Sequence, residues 1–173
     1  MIKYFRASCE KLKSSKMSLF LKYWGPVILW SAFIFYCSTD TFSASNTSLF
    51  FRPLMLWIFP GASPKLVQEV HWLARKLGHI SNYVVFSFLL MRALLGEKRE
   101  KWEWRWAFWA LVTVGLYALS DEFHQAFVPS RAPRLSDMLI DFFGGSCSVF
   151  FLYLYSILRT RAQRRAPNYG PLN

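Results

Sequence analysis

Four stretches of the chain run without a charged residue: Tyr23–Thr39 and Phe142–Leu158 at 17 residues each, Trp106–Ser120 at 15, and Ile80–Met91 at 12. A helix needs about 20 predominantly apolar residues to cross the hydrocarbon core of a bilayer. Each stretch is short alone, but an ionisable side chain near a helix end can reach water and so lengthens the usable span. The pattern predicts four membrane-spanning helices: Leu19–Ser38, Gly78–Leu95, Trp104–Phe127 and Asp137–Arg159. A soluble bundle would need a polar face on every helix, and FFGGSCSVFFLYLYSIL, from Phe142 to Leu158, has no charge anywhere round its wheel. The expected fold class is therefore all-α, a polytopic membrane helix bundle. No cleaved leader is expected, because Leu19–Ser38 is long and runs into Thr39 and Asp40 rather than a small-residue cleavage site.

The loop between the first two spans has structure of its own. Leu49–Phe59 (LFFRPLMLWIF) is too short to cross and is interrupted by Arg52-Pro53, which suits a segment in the membrane interface or one dipping back into it. Ser63-Pro64 reads as a helix cap followed by proline at the first helical position. Val67, Val70, His71, Ala74 and Leu77 then recur at helical spacing opposite Lys65, Gln68, Glu69, Trp72 and Lys76, an amphipathic helix expected to continue unbroken into the second span.

Composition supports this reading: of 173 residues 54% are apolar and 19% aromatic, while only 18% are charged. The net charge of +11 fixes the expected orientation. Fifteen Lys and Arg lie at or beyond the ends of the spans on one side, in the segments up to Lys22, from Arg92 to Arg105 and from Arg159 to Arg165, and six lie in the two remaining loops. Positive residues favour the cytoplasmic side, so both termini should be cytoplasmic, with Thr39–Leu77 and Val128–Ser136 outside. The chain then divides into a basic N-terminus (1–18), a membrane domain (19–159) and a basic tail (160–173) that meets anionic lipid. Because the positive charge is spread along membrane flanks rather than gathered on one face, no nucleic-acid partner is expected. Cys9, Cys37 and Cys147 form no CxxC pair, which leaves no disulfide framework or thiolate zinc site to predict.

The topology has a chemical consequence. His79, Asp121, Glu122, His124, Gln125, Arg131, Asp137 and Asp141 all come out near one leaflet, on three helix ends and a loop. Lys76, His79 and Tyr83 share a stripe on the second span, Asp121 and Gln125 share a face of the third, and Asp137, Asp141, Gly144 and Ser148 stack on the fourth. The small pair Gly144 and Ser148 permits a close helix crossing that turns both Asp residues inward. A carboxylate inside a bilayer costs roughly 2.5 to 3.5 kcal/mol, so several of them require partners or a wet cavity. Arg131 and His79 are the expected counter-charges, while Glu122, about 100° around from Asp121, is a candidate to face the interface.

The pattern HxxxY from His79 to Tyr83, DExHQxFxPxR from Asp121 to Arg131 and DxxxDxxGG from Asp137 to Gly145 resembles the VanZ-like family of small bacterial membrane proteins, most strongly over residues 75–155. One departure is Arg75, where the family often has an acidic residue before the lysine corresponding to Lys76. The resemblance implies a bacterial plasma membrane protein of the cell envelope, with a link to susceptibility to teicoplanin-type glycopeptide antibiotics. It does not imply a reaction.

The residues themselves leave three readings open. His79, Asp121, Gln125, Arg131, Asp137 and Asp141 form a structural polar network; or His79, Tyr83, Asp121, Glu122, Gln125, Arg131, Asp137 and Asp141 bind a lipid or lipid-linked envelope precursor, with Arg131 and Arg134 on its phosphate; or the site is a hydrolase or transferase with Asp121 as base and His79 as acid. With no GxSxG and no Cys/His pair, the nucleophile in the last case would be water or substrate. His79 with nearby carboxylates has the donor types for a metal, but HExxH is absent and no metal or other cofactor is expected. Oligomeric state is not legible.

Overall fold

A computed structural model of the protein describes residues 2–96, 102–131 and 134–165, with side chains described between Lys16 and Gln163. Among these residues the elements are helical: α1 (Ile2–Cys37), a 3₁₀ turn (Asp40–Phe42), α2 (Ala44–Ile58), α3 (Pro64–Leu95), α4 (Trp104–Gln125) and α5 (Leu135–Arg165). α1 starts well before Leu19, so the basic N-terminal segment continues the first span as helix. The end of the basic tail, from 166 onward, and residues 97–101 of the basic loop before α4 lie outside the described residues.

Local chemistry sets the helix ends. The Ser63 hydroxyl accepts from the Leu66 backbone N–H at 3.2 Å and Pro64 takes the first helical position, which starts α3. α3 then runs 32 residues to Gly96, whose φ of +54° ends it in a conformation that side-chain-bearing residues rarely adopt. The amphipathic segment and the second span are thus one rod of about 48 Å, longer than a hydrocarbon core of about 30 Å. α2 is capped by Ser43 and lies against the first turns of α3, with Phe50 and Trp57 82% and 80% exposed.

α3 is the hub, touching α1, α2, α4 and α5. Its tightest crossing is with α5, where a Cβ on Gly144 would come within 2.7 Å of the Ile80 carbonyl oxygen. Gly145, about 100° further round, accommodates Val114 of α4 in the same way. α4 turns a narrow stripe of Ala107, Ala110, Val114 and Ala118 into the bundle, so that backbones approach closely. Aromatic side chains of α3, among them Tyr83 and Phe86, fill the space this leaves beside Val27 and Ile34 of α1.

Outside this core the helices present Leu29, Leu116, Phe123, Phe143 and Phe151, an exposed apolar surface of the kind lipid covers. Among the described residues three helices are long and apolar enough to cross a membrane: α1 over Lys16–Cys37, α3, and α5 over Leu135–Gln163. α4 is not among them although its 22 residues have the length. Its inward-turned carboxylates Asp121 and Glu122 reduce its apolar character.

Gly144→Ala is expected to lower the thermal unfolding midpoint in detergent, at a cost of about 1 to 3 kcal/mol from overpacking. Gly25→Ala is the control, since a Cβ there meets nothing within 4 Å, and it should leave the midpoint unchanged or raise it. Equal midpoints for the two variants would contradict the close α3–α5 crossing.

Candidate functional site

α3 and α5 run parallel from one end of the bundle, and their polar residues pair in register. Lys76 forms an ion pair with Asp137, and both side chains are largely buried. One turn further in, His79 donates from Nδ1 to Asp141 at 3.2 Å, and Asp141 is completely buried. The next turn brings the Ile80–Gly144 contact. Close approach and charge pairing thus depend on the same helix face, which brings both carboxylates of α5 to cationic or imidazole partners on α3.

The C-terminal ends of α1 and α4 join this cluster. Asp121 accepts from the Ser38 hydroxyl and, at 3.0 Å, from the Gln125 side-chain amide. Glu122 is buried and accepts from the Arg134 backbone N–H at 2.7 Å through Oε2, while its Oε1 has no partner. Arg131 reaches across to α1, donating to the backbone carbonyls of Cys37 and, at 3.0 Å, Thr39. Cys37 is the last residue of α1, where carbonyls lack intrahelical partners, and a guanidinium there caps the helix and complements its dipole. Burial, with Arg75 nearby, pulls the Arg131 guanidinium below its ordinary value, though an arginine stays charged in a protein. Arg75 donates to the Phe42 carbonyl at 2.7 Å and to Thr47 at 3.2 Å, which ties the segment before α2 to α3. Asp40, in that segment, accepts from Ser130.

Two adjoining cavities open among these groups. The outer one, about 350 Å³, has Arg75, Lys76, Arg131 and Arg134 in its wall against a single carboxylate, Asp137, already paired with Lys76. The inner one, about 210 Å³, lies against Ser38, Asn82, Tyr83 and Asp121. Arg75, His79 and Arg131 border both. The Tyr83 hydroxyl is buried without a hydrogen-bond partner beside the inner space. Among the described residues no three His, Cys, Asp or Glu side chains converge as a metal-ligand set.

All eight residues singled out from the sequence, His79, Tyr83, Asp121, Glu122, Gln125, Arg131, Asp137 and Asp141, lie at this end of the bundle. Two of their expected environments differ. Arg131 forms no ion pair with the buried carboxylates among the described residues, because its Nε and Nη2 donate to the Thr39 and Cys37 carbonyls, though Asp121 lies near enough to act on its charge; Lys76 is the ion-pair partner of Asp137. Glu122 does not face the interface but turns inward to the Arg134 backbone. His124 stands apart, its ring stacked on Phe35 with centroids 4.2 Å apart. Ser38 and the salt-bridging role of Lys76 were not legible beforehand. For Lys76 a signal existed, since Lys76 and His79, three apart, and Asp137 and Asp141, four apart, each occupy one face across successive turns.

Lys76→Met is expected to cost about 3 kcal/mol in unfolding free energy, because Asp137 is left buried without a counter-charge. The double variant Lys76→Met/Asp137→Leu should recover most of the loss. A double-mutant cycle read by denaturant unfolding in detergent checks this, and additive losses would show that the pair is not coupled.

The sequence was compared with known proteins. Searches of curated proteins and of solved structures return no match. The family model VanZ/LLP1 matches residues 23–159, which covers α2, α3 and α4 entire, most of α5 and the C-terminal part of α1. The chain belongs to the VanZ/LLP1 family.

Proposed function

We propose that the protein is a four-span plasma membrane protein whose outer cavity binds the phosphate of a lipid or lipid-linked envelope precursor at the outer leaflet. The observation that carries this reading is the cavity's charge: once Lys76 is paired with Asp137, three arginines, Arg75, Arg131 and Arg134, remain in its wall with no carboxylate there to balance them. A guanidinium engages a phosphate with paired, planar donors, and Arg134 has an exposed side chain at the cavity's edge. α2 contributes the second half of the argument. Its exposed Leu49, Phe50, Leu54 and Trp57 suit burial in the interface, where a headgroup would be level with the cavity.

In this reading α4 is the fourth span, with its carboxylates facing the bundle, and both termini are cytoplasmic as the distribution of Lys and Arg requires. If the ligand is a precursor of the cell wall, its capture would alter susceptibility to glycopeptides that act on the same material. A second reading, acid/base chemistry on the bound phosphate, is favoured by one observation: the Ser38 hydroxyl donates to Asp121 beside the inner cavity. This offers a protein nucleophile held against a base.

The topology is checked with Glu103→Cys and Ser130→Cys, at opposite ends of α4, in a background without native cysteines. A membrane-impermeant maleimide should label Ser130→Cys in intact cells and Glu103→Cys only after lysis; labelling of both in intact cells would remove α4 as a span. Binding is checked by titrating the detergent-solubilised protein with a polyprenyl phosphate and with phosphatidylcholine. Arg134→Gln should weaken the former about tenfold, the scale of one charged hydrogen bond. Unchanged binding would refute the cavity as the site. Release of inorganic phosphate from a polyprenyl diphosphate, lost in Ser38→Ala with binding retained, would establish the second reading.

A further inference from the structure

At the opposite end of the bundle a third cavity, of about 310 Å³, lies between the last turns of α3 and α5 and the start of α4. Its walls are graded. Phe88 on α3 and Leu152 on α5 line the part nearer the middle of the bundle, Arg92 and Arg159 stand one and two turns further along the same helices, and Met91 and Leu95 flank Arg92. The spacing 88, 91, 92 on one helix and 152, 156, 159 on the other keeps apolar and cationic positions on a single strip of each. Among its described lining residues there is no carboxylate.

The donors at the polar end are not used up by the fold. The Trp102 indole N–H is buried without a hydrogen-bond partner among the described residues. The Arg92 guanidinium carbon lies 5.3 Å from the centroid of the Tyr23 ring, a cation–π contact. Neither Arg92 nor Arg159 forms an ion pair among the described residues. Two guanidinium groups and an indole N–H at the helix ends, above a slot of apolar side chains running toward the bundle centre, match a molecule with an anionic head and an acyl chain.

We infer that this cavity is a specific site for one anionic phospholipid of the leaflet opposite the candidate site, its phosphate held between Arg92 and Arg159 and an acyl chain laid against Phe88, Met91 and Leu152. Basic pockets between membrane helices recognise anionic headgroups in this way. The site is separate from the outer cavity and does not depend on what that cavity binds. Under the orientation proposed above it faces the cytoplasmic leaflet, and it would fasten α3 to α5 at the end where no Lys–Asp or His–Asp pair joins them.

The test is native mass spectrometry of the full-length protein in detergent, supplied with dioleoyl-phosphatidylglycerol or dioleoyl-phosphatidylcholine. Arg159→Gln should weaken retention of one phosphatidylglycerol about tenfold. Arg161→Gln, two residues on and about 200° around the helix, should change it about twofold or less. Arg134→Gln should leave this lipid in place, which separates the site from the outer cavity. Trp102→Phe should weaken retention less than Arg159→Gln, and excess inorganic phosphate should not displace the lipid. Equal retention of phosphatidylcholine, or equal losses in Arg159→Gln and Arg161→Gln, would overturn the proposal, as would the absence of any retained phosphatidylglycerol. Both arginine variants alter exposed side chains, and circular dichroism confirms that they fold.

Discussion

The parallel contact between α3 and α5 is the constraint on which the rest depends. Two carboxylates of α5 enter an apolar bundle, and each would be costly there alone. Lys76 and His79 compensate them only because the helices approach closely enough at Ile80 and Gly144 to bring the side chains within reach. Packing and electrostatics are therefore not separable at this seam. A bulkier residue at 144 would move Asp141 away from His79, and loss of either partner would leave a charge in the space the close packing creates.

The remaining elements are arranged around that seam by polar contacts at one end and apolar ones at the other. α1 is joined to the site end through Ser38 on Asp121 and through Arg131 on its terminal carbonyls. The loop before α5 is joined to α4 through Glu122, and the segment before α2 to α3 through Arg75. Further along, Tyr83, Phe86 and Leu90 meet the alanine stripe of α4 with few polar groups. The Tyr83 hydroxyl, without a hydrogen-bond partner among the described residues, lies at the polar end beside a space that Arg75 and Arg131 border.

Much of this was legible in the amino-acid pattern. Ser63-Pro64 marked the start of α3 because a side-chain cap and a proline are local devices. The fusion of the amphipathic segment with the second span followed from an unbroken helical period. Asp137, Asp141 and Gly144 were assigned to one inward face by spacing alone, and the glycine there does meet another helix. The convergence of three helix ends came from topology, since alternate spans return their ends to the same side.

Pairing was the part that spacing left undetermined. Arg131 and the carboxylates have complementary charge, yet the guanidinium goes to the carbonyl end of α1, which no local pattern reveals because any exposed helix end is an acceptor. Ser38 is a small polar residue at the close of an apolar run and becomes notable only when α4 brings Asp121 beside it. Local sequence thus determined where α3 and α4 begin, that Asp137 and Asp141 share an inward face and which ionisable groups lie at one end of the bundle, because these follow from the period of one helix and the length of one span. Partners, cavities and the donors left unpaired were decided by how rotated helices meet, a relation between segments up to 94 residues apart.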